Sequence, residues 1–491
     1  MIPLAHPDAL YIGGAWIVPG QSEPVINPAT ETVIGHAPVA GPAEAEQAIA
    51  AARDAFDHGP WRRASVQERA ARLSAMCDIF VRRSVEIRSL ITAEAGSVQP
   101  FTNSMQFQTG IDHARHYIER AQQLGVTPLP VELVAMPDGR TMLGAGVMVR
   151  EPVGVVLAIT PFNVPFNANL TKSFAALVTG NSVILKPSPL TPFEALVVAQ
   201  AADEAGLPAG VFNVINGGIA IGEMLTRDPR IDMISFTGSD RVGAAIQAQA
   251  AATLKRCVLE LGGKSALIVR ADADLKAAAT SALASLTLHA GQACAATSRL
   301  VVHNAVRGEF VAMLAAMFGS VVIGDPADPA VRMGPLIRAV QRDRVAAIVE
   351  QAVRDGAKLV TGGRRPPALE CGFFYEPTLF DDVENAMAVA RDEIFGPVGV
   401  VIGFDHDDEA IAIANDSDFG LSGGVYSADV GRAFKIALAL RTGKVAINGG
   451  SGKMSSHQPF GGIKRSGYGR ELGDAGLHEF TFIKSVAFHG G

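Results

Sequence analysis

Gly154-Val155-Val156-Leu157-Ala158-Ile159-Thr160 is an apolar run that ends on a hydroxyl. It is too short for a stable helix and rich in β-branched residues, so it reads as a strand buried on both faces. The chain then repeats the theme. A helix over 166–179 leads to a strand over 182–186, and a helix over 192–205 to a strand over 211–215. A short helix over 220–227, a strand over 232–236, a helix over 239–252 and a strand over 256–261 complete the series. Apolar strands alternating with helices require crossover connections and a parallel sheet. In such sheets ligands bind beyond the carboxyl ends of the strands.

Upstream of this series, 10–18 and 24–34 read as a short β-meander. The segment 42–56 is a helix with Pro42 in its first turn and Ala45, Ala48, Ile49, Ala52, Ala55 and Phe56 on one stripe. Longer helical patterns cover 67–96 and 107–123. Over 128–149 proline, glycine and alternating apolar residues suggest a two-stranded arm outside the main core. Downstream, a second series places strands at 266–269, 300–303, 398–404 and 444–447, with helices at 273–288, 307–318, 341–355 and 408–415. The stretch 480–488 alternates as an edge strand does and is a candidate to pair with another chain.

A length of 491 residues suggests about three domains. Apolar residues make up 48%, enough for large cores, and the 19% of charged residues argues against long disordered tracts. The net charge of −7, with no Lys/Arg block, speaks against a nucleic-acid or anionic-membrane partner. The first seven residues lack a basic region followed by an apolar one, so no signal peptide is expected. No apolar run is long enough to span a bilayer. Cys77, Cys257, Cys294 and Cys371 are scattered without a CxxC pair, which argues against disulfides and zinc and for a reducing, cytoplasmic setting. The eleven histidines form no ligand-spaced cluster, and no metal is expected.

The chemistry-bearing loops come after strands. Asn163, after the first strand, is either a neutral amide donor for a developing oxyanion or a turn residue bonded to its own backbone. Lys186-Pro187-Ser188 holds a ribose or phosphate, or is a solvated loop. Gly217-Gly218-Ile219-Ala220-Ile221-Gly222 and Phe236-Thr237-Gly238-Ser239 are each an anion-binding helix start or a plain cap. No G-x-G-x-x-G occurs at the first turn. Glu260-Leu261-Gly262-Gly263-Lys264-Ser265 offers a carboxylate, and Gly291-Gln292-Ala293-Cys294-Ala295-Ala296-Thr297-Ser298-Arg299 a thiol among small residues. A thiol nucleophile and a carboxylate base suffice to make and hydrolyse a thioester.

Together and in this order, these motifs, with Glu393 to Val398 (EIFGPV) and Pro459 to Gly473 (PFGGIKRSGYGRELG), resemble the NAD(P)-dependent aldehyde dehydrogenase superfamily over nearly the whole chain. The resemblance implies an α/β fold: a Rossmann-like parallel-sheet cofactor domain, a second α/β catalytic domain and a small β oligomerisation arm. It implies an NAD(P)-binding domain from 1–127 and 151–260, a catalytic domain over 261–450, an arm from 128–150 and 474–491, and a return of 451–473 to the active-site rim. It implies Cys294 as nucleophile, Glu260 as base, and Asn163 with the Cys294 backbone N–H as oxyanion hole. Lys172 matches a family lysine near the catalytic centre.

For the cofactor the resemblance implies Ile159, Thr160, Pro161, Phe162, Gly218, Gly222, Phe236, Thr237, Gly238, Leu261 and Gly262. Lys186 and Ser188 would lie near the adenosine ribose, Ser239 near the pyrophosphate, Glu393 on the nicotinamide ribose and Phe395 beside the nicotinamide. Val164, Ala168, Thr171, Ala293, Ala295, Met454 and Phe460 align with the aldehyde tunnel. Several are small, which suggests a roomy, largely apolar pocket. Trp16 and Trp61 lie far from the tunnel motifs, which lowers a betaine-aldehyde reading. The expected cofactor is NAD, with NADP possible, the expected partner a small aldehyde, and the expected assembly a homo-oligomer, a dimer or a dimer of dimers.

Two departures stand out. Pro189 occupies a position where many members carry a glutamate that binds the NAD ribose, so exclusion of NADP is weakened. Phe482 stands where a carboxylate would be sought for Lys172, so Glu260 is expected to work without that relay. Other readings are a CoA-acylating semialdehyde dehydrogenase, against which Glu260 weighs, a catalytically silent binding protein on this scaffold, and a thioesterase, which has no use for the nucleotide motifs.

Overall fold

The chain's computed structural model describes residues 4–451 and 454–490; Met1 to Pro3, in the segment read for a signal peptide, lie outside the described residues. Val155–Ile159 is a central strand of an eight-stranded sheet. Across that sheet run Ala15–Ile17, Leu10–Ile12, Phe212–Val214, Ser182–Lys186, Val155–Ile159, Met233–Thr237, Arg256–Glu260 and Gly467–Tyr468. The five strands from Phe212–Val214 to Arg256–Glu260 are mutually parallel, and the flanking ones antiparallel. The chain starts in the middle, runs outward on one side, then returns to fill the other. The switch point therefore lies between Val155–Ile159 and Met233–Thr237, the place where sheets of this kind bind ligands.

Local sequence explains how the connecting helices begin. Pro165 opens Pro165–Val178, every residue of which is buried. Ser239 caps Asp240–Ala251 by accepting from the Val242 N–H. The apolar stripe expected on Pro42–Asp57 is buried as read. The pattern over 67–96 divides into Val66–Arg82 and Ser84–Ala95, and the next helix, Thr109–Ala121, grows out of a π-wound turn over Thr102–Gln108.

After Glu260 the chain crosses through Gly262 and Gly263 into a second sheet of seven strands. Their order is Lys358–Thr361, Thr378–Asp381, Val398–Phe404, Arg299–His303, Ala266–Val269, Ser422–Tyr426 and Lys444–Ile447. Only Lys358–Thr361 runs antiparallel to its neighbour. Three of these strands, 358–361, 378–381 and 422–426, escape the sequence reading. They are four or five residues long, and Ser422-Gly423-Gly424 carries little apolar pattern.

The arm is a four-stranded sheet, with three strands in order and a fourth paired to the middle one. Thr141–Pro152 pairs antiparallel with Thr481–Gly490 along its length, and with Thr127–Pro128 and Glu132–Ala135 on its other side. The C-terminal strand pairs along one edge with its own chain, because the long strand over 141–152 offers a full-length partner close in space, and its other edge stays open to a second chain. Gly473–Glu479, grouped with the arm from sequence, is a helix, and its Leu477 is buried in the core.

Arg299 opens the strand after the Cys294 loop and is buried. Its guanidinium donates to the carbonyls of Lys264 (2.9 Å), Ile413 (2.8 Å) and Ala414 (2.8 Å) and to Asn385 Oδ1 (3.0 Å). One cation thus ties the loop's exit to three other segments. Arg299→Leu should lower stability by roughly 3–5 kcal/mol, the usual cost of breaking up a buried charge and its partners. Urea denaturation checks this, and an unchanged midpoint would contradict it.

Candidate active site

The Cys294 loop is held in a strained shape. His289, Ala290 and Gly291 have φ of +54°, +51° and +69°, all in the left-handed region. A side chain on Gly291 would sit 2.3 Å from the Gly396 carbonyl, so only glycine fits there. Strain at His289 and Ala290 persists because the surroundings over-determine it. The His289 ring is buried and stacked on Phe101, with centroids 5.3 Å apart. Gln292 donates to the carbonyls of His289 (3.1 Å) and Pro335 (3.4 Å) and accepts from the Ile337 N–H (2.9 Å). Asn163 Nδ2 donates to the Gln292 carbonyl at 2.8 Å, which brings the first sheet's loop onto the nucleophile loop. An amide nitrogen carries two hydrogens, so one remains for another acceptor.

Cys294 is partly exposed. Burial of the sulfur pushes the thiol up to about 12, and the negative charges of Glu260 and Glu393 add to that, while the Ala295 N–H opposes it. At rest the thiol is protonated and needs a proton acceptor before it can attack. Glu260 ends its strand, is buried, and has no hydrogen-bond partner for either oxygen among the described residues. Burial first, then the Glu471 charge, raise its pKa well above the usual range, against Lys172 and Arg470. Gly461 leaves the room for it: a Cβ there would lie 2.6 Å from Glu260 Oε1.

Phe482 does not bear on this centre; it lies exposed on the arm opposite Glu151. The expectation that Lys172 lacks a carboxylate is wrong. Lys172 Nζ donates to Glu471 Oε1 at 2.5 Å and to Ser235 Oγ at 3.1 Å, fully buried. A fully buried ammonium needs such a partner. Glu471 is the residue that sequence reading missed. It stood in view in the Pro459 to Gly473 motif, but only the fold reveals that this segment returns beside Lys172.

The expected cofactor residues lie at the strand ends. Lys186 is buried, which pushes its pKa down to about 8, and its Cε lies 3.7 Å from where a Cβ on Gly222 would be. Gly218 starts the helix Ile219–Arg227 and Ser239 the next. Gly238 must be glycine because the Phe236 ring would meet its Cβ at 2.3 Å. Leu261 packs against Gly243, where a Cβ would come within 2.6 Å of it. Thr160 donates to Asn169 at 2.7 Å, and Thr237 lies in register with Glu260. Phe162, between Pro161 and Asn163 after the Ile159 strand end, meets Phe395 edge to face at 5.7 Å. Phe395 itself has φ +55°, a strained conformation for an aromatic residue. Glu393 accepts from the Gly263 N–H at 2.9 Å; burial raises its pKa to about 7. A Cβ on Gly262 would fall 2.4 Å from the Glu393 carboxylate. Ser188 is occupied within its own turn, accepting from the Leu190 N–H. A buried cation, two helix starts, one of them capped by Ser239, and a buried carboxylate at the strand ends suit a dinucleotide.

Of the tunnel residues, Ala168 and Thr171 share the buried helix Pro165–Val178, and Val164 caps its start. Val164 packs with Phe101 and Met105, Ala293 and Ala295 flank Cys294, and Met454 and Phe460 pack on the core that contains Phe107 and Tyr117.

A parallel sheet of this order, with the Cys294 loop beside it, suits a class: enzymes that bind a nicotinamide dinucleotide at the switch point. The chain belongs to the aldehyde dehydrogenase family, whose pattern matches residues 16–486, and it is an NAD-dependent enzyme of that family. It is 40% identical over 481 residues to 3-succinoylsemialdehyde-pyridine dehydrogenase from a Pseudomonas species, covering 97% of each chain. It is 38% identical to a putative aldehyde dehydrogenase of Staphylococcus aureus, covering 97% of this chain and 98% of that one. Among solved structures, an aldehyde dehydrogenase of Mycobacterium tuberculosis complexed with NAD+ superposes with a TM-score of 0.91 at 40% identity, covering 98% and 97% of the two chains. Betaine aldehyde dehydrogenase of Staphylococcus aureus in complex with NAD+ gives 0.94 at 33% identity, covering 98% and 95%. No helix among the described residues is long and apolar enough to cross a membrane, and none of their side chains group to hold a metal ion.

The buried charges predict a pH effect. A carboxyl held well above its usual pKa becomes a base only as pH rises, so turnover should climb with pH above the usual carboxylate range. Glu471→Gln removes the nearby negative charge and frees Lys172 to act on Glu260. Both changes lower the Glu260 pKa and should move the rising limb to lower pH. Steady-state rates from pH 5.5 to 9 would show it; a limb shifted to higher pH would contradict the assignment.

Proposed function

We propose that the chain oxidises an aldehyde to a carboxylic acid through an acyl group on Cys294. The Cys294 sulfur, once deprotonated, adds to the aldehyde carbon. The free N–H of the Asn163 amide and the Cys294 backbone N–H then hold the oxyanion. Bound NAD supplies the acceptor for the hydride that the tetrahedral carbon expels. Glu260 next takes a proton from water, whose oxygen attacks the thioester carbon and returns the thiolate. Glu471 and Lys172 stand behind Glu260 to receive charge and proton. The observation that carries this reading is the Asn163–Gln292 hydrogen bond at 2.8 Å, which orients an oxyanion donor over the nucleophile loop. Removing one such donor typically costs ~10²–10³ in rate.

Lys186, Ser239, Glu393 and Phe395 are the proposed cofactor contacts. NAD is the preferred cofactor and NADP is accepted, because exposed Pro189 brings no carboxylate to repel a 2′-phosphate. An aldehyde panel with either cofactor tests both points. Cys294→Ala should abolish oxidation. Glu260→Gln should keep the first burst of NADH while steady turnover falls by ~10²–10⁴, the usual worth of a general base. Wild-type turnover by either variant would refute the scheme.

We also propose a homo-oligomer built through the arm. Leu133, Leu143, Ile483, Val486 and Phe488 are exposed on one small sheet. The strand Thr481–Gly490 is paired on one edge only, and an exposed apolar edge of this length invites a second chain. Light scattering at micromolar concentration should give a multiple of 51.3 kDa; the monomer mass would contradict the proposal.

A further inference from the structure

The π-wound turn Thr102–Gln108 lies against the start of the helix Pro165–Val178, and three successive residues of it hold the segment that carries Asn163. Met105 and Val164 pack on the same cluster of Val98, Phe101 and Val331, and the Met105 carbonyl accepts from Asn167 Nδ2 at 2.7 Å. Gln106 Nε2 donates to the Asn163 carbonyl at 2.8 Å. The Phe107 ring stacks on that of Phe166, with centroids 5.6 Å apart and planes 6° from parallel. Consecutive residues of a regular α-helix point to different faces. A π-wound turn bonds i to i+5, takes in an extra residue and so shifts those faces, and such turns recur at functional sites.

The Gln106 amide is buried, and its partner fixes its orientation. A carbonyl can only accept, so the nitrogen faces Asn163 and Oε1 faces away. Gln106 Oε1 is enclosed and has no hydrogen-bond partner among the described residues. A leucine or methionine of similar size would carry no such orphan. A buried acceptor left unpaired is costly and calls for a reason, and the bond made by the other end of the amide supplies one. Asn163 is held twice, its backbone carbonyl by Gln106 and its side-chain amide by the Gln292 carbonyl, at 2.8 Å each. A peptide plane pinned on one side and an amide pinned on the other leave the remaining amide hydrogen little freedom.

We propose that Gln106 is a positioning residue for the oxyanion donor: through the Asn163 carbonyl it sets the direction of the amide hydrogen that meets the developing charge. This rests on the aldehyde-oxidising reading and deepens it, since Gln106 acts only through Asn163. A donor turned away from the developing charge leaves aldehyde binding as it was and stabilises the transition state less, so the loss falls on the rate rather than on KM.

The test follows the first turnover, read as the pre-steady-state rise of NADH with NAD and whichever of propanal, hexanal and benzaldehyde reacts fastest. Gln106→Met and Gln106→Leu, neither of which can donate, should slow this phase roughly tenfold at saturating aldehyde, with the half-saturating concentration within about twofold of wild type. Two variants keep the test from depending on one of them folding. Asn163→Ala should slow the same phase by ~10²–10³. Added to Asn163→Ala, either Gln106 change should have no further effect, because the group it positions is gone. A general packing role would slow both backgrounds alike. First turnover at the wild-type rate in the Gln106 variants, an equal slowing on both backgrounds, or a loss confined to the half-saturating concentration overturns the proposal. An Asn163→Ala enzyme as fast as wild type would instead strike the oxyanion reading beneath it, whatever Gln106 does.

Discussion

The hydrogen bond from Asn163 to the Gln292 carbonyl joins two parts of the molecule that sequence keeps 129 residues apart. Asn163 comes after the first central strand of one sheet. Gln292 precedes the nucleophile in a loop that belongs to the other. An amide hydrogen bond is worth only about 1 kcal/mol net, so it does not hold the sheets together. Its role is geometric. It sets where the remaining amide hydrogen points, relative to a sulfur two residues along. The strained turn at His289 and Ala290, the Gln292 side chain and the Arg299 anchor all restrict the same loop. Preorganisation of this kind matters because a donor that must reorient during reaction loses its advantage.

The second constraint is electrostatic. Glu260 and Glu471 share a buried region with one lysine, Lys172, and with Arg470 at its edge. The direct pair is Lys172 with Glu471, which leaves Glu260 the uncompensated member. Desolvation then favours its neutral form, and its pKa is held well above the usual carboxylate range. The same burial raises the Cys294 thiol. Nucleophile and base are thus both held in their protonated forms, and reaction requires a proton to leave the pocket. In the proposed scheme Lys172 and Glu471, paired beside Glu260, would handle it.

The parallel strands of the first sheet were legible because they are almost wholly buried: 155–159 is apolar without interruption, 182–186 is apolar between Ser182 and Lys186, and helices separate them. The second sheet was legible only where its strands are equally apolar. Ser422–Tyr426 is not, and its place comes from pairing with Ala266–Val269, a contact that no local pattern encodes. At the site, the residues flanking strands were readable one by one, each with a bland alternative. Glu471 was not, because its role depends on a return of the chain that brings position 471 to Lys172. The family resemblance pointed to position 482 for such a carboxylate, and Phe482 lies on a strand that turns away into the arm.

The central claim is that a substrate acyl group passes through Cys294 and that Glu260 is needed to release it. Intact-mass and peptide-mass measurement of Glu260→Gln, quenched in acid after brief incubation with NAD and an aldehyde, tests it most directly. The account predicts a mass increment equal to the acyl group, located on the peptide that contains Cys294 and removed by hydroxylamine. An unmodified Cys294 peptide under conditions where NADH has formed, or the acyl group on another residue, would contradict it.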